Sequence, residues 1–163
     1  MRVVQNPQLQ LGEVDISKIE FDKKSRDDMP KLLMGLQYLY VSRREELFKI
    51  LEEEISPNKD KKNGRPGMDL WKILVLGTIR LNLDWDYDRV HEQANSHSSI
   101  RQMLGHSGIF DPHYYELQTI KDNVRLLTPE LLDKINQLVV KAGHNLLKKK
   151  TQRHCRAAVI RLL

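Results

Sequence analysis

The chain has 163 residues, 40% of them hydrophobic, 30% charged and 6% aromatic, with a formal net charge of +5 and one cysteine, Cys155. That length supports one domain of ordinary size, the composition suits a soluble helical protein better than a sheet sandwich, and a lone cysteine excludes an internal disulfide and a multi-cysteine zinc site. No apolar run reaches the roughly 20 residues of a membrane span, since Lys72 and Arg80 interrupt the best candidate, and MRVVQNPQLQ has no apolar signal core, so a cytoplasmic protein with no membrane partner is expected.

Residues 1–25 alternate weakly through Val14, Ile16, Ile19 and Phe21 and predict a short extended arm. From Ser25 the period changes: Met29, Leu32, Leu33, Leu36 and Tyr40 share a helical face, with Asp27 and Asp28 placed to favour a helix N-terminus. A second helix is expected from about Ser42 to Ile55, with Leu47, Phe48, Leu51 and Ile55 inward, Ser42 as its cap and Glu45 completing a capping box. The stretch SPNKDKKNGRPG, Ser56 to Gly67, is the one evident internal linker. It reads either as a basic loop that contacts phosphate or, more commonly for such composition, as a solvated connection between helices.

Leu70, Trp71, Ile73, Leu74, Val75, Leu76, Ile79, Leu81 and Leu83 then fall on every side of a 3.6-residue wheel, the pattern of a helix surrounded by protein. Asp84 or Asp86 is expected to cap the helix that follows, about Tyr87 to Asn95, with Tyr87, Val90, His91 and Ala94 on one face. After the polar turn Asn95-Ser96-His97-Ser98, a second capping box at Ser99 and Gln102 opens a short helix with Ile100, Met103 and Leu104 inward, ended by Gly105. Two short helices joined by a polar turn outline a helix-turn-helix, whose second helix would present Arg101 and Gln102 to a DNA groove. A helix is expected from about His113 to Leu126, and Thr128-Pro129 starts a last one that runs to about Lys148, with Leu131, Ile135, Leu138 and Ala142 inward.

These elements predict an all-α fold: a single bundle of five or six helices around a buried central helix, containing a helix-turn-helix-like hairpin. The arm is 1–25, the helical domain 26–150 and a basic tail 151–163.

No catalytic or cofactor motif emerges. The three aspartates of LDWDYD lack the Gly and the terminal acid of a calcium loop, since Arg89 and Asn95 stand there. GRPG lacks the lysine and serine of a phosphate loop. His91 reads as a core or boundary histidine, His97 and His106 as surface residues, and Cys155 beside His154 as a solvated thiol. No metal, no cofactor and no catalytic residue is expected.

The basic charge sits at one end. Seven of the 27 basic residues lie at or beyond Lys141 with no acid among them, leaving 20 against 22 acids in residues 1–140. A polyanion would therefore meet the C-terminal lysines first. The candidate DNA contacts are Lys61, Lys62 and Arg65 in the linker, Arg101 and Gln102 on the hairpin, and Lys148, Lys149 and Lys150.

The run GRPGMDLWKILVLGTIRLNLDWDYDRVHEQANSHSSIRQMLGH, flanked by SRDDMPKLLMGLQYLY and LQTIKDNVRLLTPELLDKINQLVVKAGHNLLKKK, resembles the N-terminal domain of DDE-type insertion-sequence transposases, the InsH-like group. The resemblance covers about residues 10–150 and lies in extended similarity more than in a short motif. It implies a helical domain that recognises the terminal inverted repeats of its own element and pairs with itself or with full-length transposase. In that family an RNase H-like domain follows, with three acids holding two magnesium ions. TQRHCRAAVIRLL has neither those acids nor strand alternation, so the expectation is a truncated or frameshifted copy without nuclease chemistry, its tail read out of frame. The alternative is an interaction module or inert remnant.

Overall fold

The structure, a computed structural model, describes residues 4–5, 13–55, 67–107 and 111–154, with 144–154 described as backbone alone. Among these residues the fold is all-helical: α1 Asp28–Ser42, α2 Arg44–Ile55, α3 Leu70–Asn82, α4 Tyr87–Ser96, α5 Ser98–Met103, α6 Leu117–Val124 and α7 Pro129–His154. That is seven helices against a bundle of five or six expected, although a helix is expected at each of the seven places; α5 and α6 are the short ones, of six and eight residues.

Helix α3 is the axis. Leu70, Trp71, Ile73, Leu74, Val75, Leu76 and Ile79 are buried on all its faces, against α1, α2, α4 and α6. Burying each such Leu or Ile stabilises by about 1.5–3 kcal/mol relative to solvent exposure, so this helix alone accounts for a large part of the folding drive. Gly77 allows closer approach on one side: a methyl group there would lie 2.0 Å from Leu127 Cδ1. The expectation of burial all round fails only at the C-terminal turn, where Leu81 is exposed.

Trp71 ties this axis to two distant parts of the chain. Its indole N–H donates to the Met103 carbonyl at 2.9 Å, and its backbone N–H to the Val4 carbonyl at 3.0 Å. Its ring lies 4.8 Å from that of Tyr40, whose hydroxyl donates to Gln5 Oε1 at 2.6 Å. Val4 and Gln5, the described residues nearest the N-terminus, thus pack on the bundle. Ile16 and Ile19 are buried, a 3-10 turn spans Ile16–Lys18, and Gln37 Nε2 on α1 donates to the carbonyls of Ile16 and Ile19 at 2.8 and 2.9 Å.

Helix α1 starts as its acids predict, Asp27 Oδ1 accepting the Met29 N–H at 3.1 Å. Helix α2 does not: Ser42 closes α1, donating its hydroxyl to the Tyr38 carbonyl at 2.7 Å, and Arg43 alone separates the two helices. The Ser42 capping box is therefore absent. At the end of α3 the chain reverses through Asp84, which adopts φ +51°, a left-handed conformation that aspartate tolerates better than most residues. Asp86 is the cap of α4, its Oδ1 accepting the Arg89 N–H at 2.7 Å. Thr128 Oγ1 caps α7, accepting the Leu131 N–H at 3.3 Å, and Lys134 pairs with Glu54 to hold α7 against α2. Helix α7 runs beyond Lys148 and continues unbroken to His154.

Replacing Trp71 separates packing from hydrogen bonding. Trp71→Phe keeps most of the ring and leaves the Met103 carbonyl unpaired, at an expected cost of about 1–3 kcal/mol, whereas Trp71→Ala opens a cavity and costs about 3–5 kcal/mol. Urea unfolding followed by circular dichroism reads both, and a Trp71→Phe variant as stable as the parent would deny the indole bond a role.

Candidate functional site

The helix-turn-helix outline falls on α4 and α5. The expected three- or four-residue turn contracts to one residue, His97, and α5 starts at Ser98, so Ser99 lies inside the first turn and the Ser99–Gln102 capping box does not form. Instead the Arg101 N–H donates to the His97 carbonyl at 2.9 Å, closing that turn. His97 is half-buried, with its Nδ1 shielded and unbonded, and is not the surface residue expected. Gly105, at φ +89°, ends the helix as its position predicts.

Arg101 does not face a groove. It is 8% exposed, and its guanidinium donates to the backbone carbonyls of His113 at 3.1 Å and Asp111 at 3.0 Å. An arginine so committed has no free fork for a base edge. Gln102 is half-buried, and the exposed charges of α4 are Asp88, Arg89 and Glu92, acidic on balance. The hairpin's outer face thus offers a phosphate backbone little attraction.

Arg101 belongs to a polar cluster centred on His106, which is 7% exposed where the sequence suggested a surface residue. Asp111 sits against His106 Nδ1, and the Tyr115 hydroxyl lies 2.5 Å from Nε2. A carboxylate only accepts, so Nδ1 carries the proton and donates to Asp111, and Nε2 accepts from Tyr115. His113 stacks on His106, centroids 4.8 Å apart and planes 11° off parallel. Asp111 Oδ1 also accepts the His113 N–H at 2.9 Å, an Asx turn at the Asp111-Pro112-His113 step.

Asn95, from α4, completes the lock. Its Oδ1 accepts the Tyr115 N–H at 2.8 Å, while its Nδ2 donates to the carbonyls of Tyr115 at 3.0 Å and of His91 at 2.9 Å. These bonds hold the chain extended up to Glu116, which explains why α6 begins at Leu117 and not near His113. The backbone of His106 also bridges Glu13, and the Val14 N–H donates to the Gly105 carbonyl at 3.2 Å, tying the N-terminal segment to the same point. His91 is a boundary residue as expected, its Nε2 3.0 Å from the Tyr114 hydroxyl.

Burial governs the cluster's electrostatics. It holds His106 and His113 below the usual imidazole range, the bond to Asp111 only partly opposing it at His106. Burial raises Asp111 as well, but the His113 N–H and His106 together bring its carboxyl below the ordinary value. Burial drives the Tyr115 phenol far above its ordinary range. Both ring nitrogens of His106 are occupied within the cluster, so its chemistry is that of a clasp joining α4, α5 and the approach to α6. A cavity of about 340 Å³ lies beside it, lined by Asp69, Lys72, His113 and Glu116 among others. Asp69 and Lys72 form an ion pair at 3.6 Å, and among the described residues no group of three or more His, Cys, Asp or Glu is disposed to hold a metal ion.

The remaining candidates do not join Arg101 and Gln102. Lys61, Lys62 and Arg65 lie outside the described residues, as does Cys155. Lys148, Lys149 and Lys150 fall on the backbone of α7, in the part that follows its last buried residue among the described side chains, Ala142. Among the described residues no helix is long and apolar enough to cross a membrane. Comparison with family models, with curated proteins and with solved structures finds no match for this chain.

Two outcomes follow for the clasp. Asn95→Ala leaves a donor and an acceptor of Tyr115 unpaired and should cost about 2–4 kcal/mol, with faster amide exchange at Tyr115. For pH, the folded state holds His106 and His113 below the unfolded value of 6.5, so the unfolded chain binds protons first on acidification. That stability is fully present above pH 6.5 and declines as pH falls toward the folded-state values; His106→Gln should flatten the decline between pH 6.5 and 5 in thermal melts. An unchanged pH profile would remove His106 as its source.

Proposed function

We propose that this chain is a DNA-binding helical domain of the kind that opens insertion-sequence transposases, directed at terminal inverted repeats, with its phosphate contacts on the C-terminal half of α7. The observation that carries the reading is how charge divides along that helix. From Pro129 to Val140, α7 bears both signs and packs on the bundle; from Lys141 to His154 it bears Lys141, Lys148, Lys149, Lys150 and Arg153 and no acid. The macrodipole favours cations in a last helical turn, but that effect fades beyond it and does not account for five spread over about four turns. A helical segment with this one-sided charge suits a polyanion running beside it.

The resemblance of residues 10–150 to transposase N-terminal domains supports the choice of DNA. The acidic exposed face of α4 and the inward Arg101 turn the reading away from insertion of α5 into a groove. Lys61, Lys62 and Arg65 remain candidates for a second phosphate contact, and Gln102 for a minor one. None of the acids is assigned a catalytic role.

Fluorescence anisotropy against a duplex carrying the inverted repeats tests this. Affinity should fall with salt by about 0.9 log units per log unit for each phosphate neutralised, and Lys148→Gln, Lys149→Gln and Lys150→Gln together should lower that slope by about 2.7. A slope unchanged by the triple substitution would place the contacts elsewhere, and no binding at low salt would end the reading.

A further inference from the structure

The connection from α5 to α6 is held by polar bonds, where the rest of the bundle is held by apolar burial. Among its described residues from His106 to Glu116 only His106 and Tyr115 are buried, and their side chains bond to each other. His113 stacks on His106 and meets Tyr115 edge-on, centroids 4.5 Å apart, so three rings share one packet. Two outside ties end there: Asn95 of α4 pairs with the backbone of Tyr115, and the Val14 N–H donates to the Gly105 carbonyl. A stretch with so little buried apolar surface opens at lower cost than the core.

The packet has no place for an added proton. His106 Nδ1 already donates to Asp111, so the proton goes to Nε2, which accepts from the Tyr115 hydroxyl. An imidazolium donates from both nitrogens, and the phenol oxygen takes that bond only by turning its own hydrogen into a buried site, where a donor without an acceptor is costly. The surrounding charges add to the cost. Helix α3 presents Lys72, paired with Asp69; α5 presents Arg101; α4 presents the neutral Asn95 and His91, which bonds the Tyr114 hydroxyl; and Glu13 bridges His106 from the N-terminal segment. Lys72 opposes a positive charge on both His106 and His113, Arg101 opposes one on His113, and Asp111 favours both. A proton on each stacked ring would set two like charges face to face, centroids 4.8 Å apart.

We propose that His106, Asp111, His113 and Tyr115 form an acid-sensitive latch, which on taking up protons opens locally and releases Asp111–Glu116 from α4 and α5, and Val14 from Gly105, while α3 stays buried in its shell. Opening hydrates both imidazoles, so each then binds its proton without an orphaned phenol or a facing charge. The core keeps its own bonds, since the partners of Trp71 are Met103, Val4 and Tyr40 and none of them belongs to the latch. The stability lost on acidification is a property of the whole fold; the latch confines the first acid step to this one connection. No residue of the latch lies on α7, so the device does not depend on the nucleic-acid reading.

Hydrogen exchange of the full chain, read by NMR at a series of acid pH values and corrected for the intrinsic pH dependence of exchange, tests it. The amides of Tyr115 and Val14 report the latch, and the Trp71 indole N–H reports the core. Below pH 6.5, the ordinary imidazole value, each extra proton bound by the open state lowers protection by about tenfold per pH unit. The expected result is a loss of at least about tenfold per pH unit at Tyr115 and Val14, with Trp71 protection unchanged. His113→Phe keeps a stacking ring on an exposed position and removes one titrating group, so it should make the loss less steep without unfolding the chain. Adding His106→Gln should abolish the loss. Protection at Tyr115 that does not vary with pH, a loss untouched by the two substitutions together, or protection lost at Trp71 and Tyr115 over the same pH range overturns the proposal.

Discussion

The structure depends on the burial of α3 from every side. A helix that buries Leu70, Trp71, Ile73, Leu74, Val75, Leu76 and Ile79 has no face left for solvent, so its neighbours must be arranged as a shell. Trp71 makes that shell specific. Hydrophobic burial has no direction, whereas the indole N–H bond to Met103 and the backbone bond to Val4 fix which parts of the chain lie where. Val4 and the end of α5 are thereby held to the first turn of the same helix.

A second level of constraint begins where that apolar shell ends. The connection from α5 to α6 contains Pro112 and lies partly within the protein, so its backbone groups need partners other than a helix ladder. Asn95, Arg101, Asp111 and His106 supply them. A buried cation at Arg101 is tolerable because it donates to two carbonyls that would otherwise lack donors. The residue that the sequence placed on the reading helix is thus committed to holding the fold.

Much of this was legible in the residues, for physical reasons that differ by element. The helical class, the central helix, the Asp27 and Asp86 caps, the Gly105 terminus and the Thr128-Pro129 start all rest on local chemistry or on the 3.6-residue period, and local rules act without knowledge of the fold. The two capping boxes failed because Ser42 and Ser99 each had a neighbouring boundary that satisfied the backbone equally well. The clasp was illegible for a deeper reason. His106, Asp111 and Tyr115 form no recognised spacing, and Asn95 meets Tyr115 only because α4 and the approach to α6 are brought together in space. The Asp111-Pro112 step did carry a turn signal, since aspartate before proline favours an Asx turn. The inward orientation of Arg101 had no local signature.

On the proposed function, the C-terminal half of α7 meets nucleic acid while the rest of the bundle serves as its base. Backbone amide NMR of the labelled chain, titrated with duplex DNA at low salt, tests it most directly. The account predicts that shifts concentrate on α7 from Lys141 to His154 and leave α5, Ser98 to Met103, nearly unmoved. Shifts centred on α5 with α7 silent would contradict it.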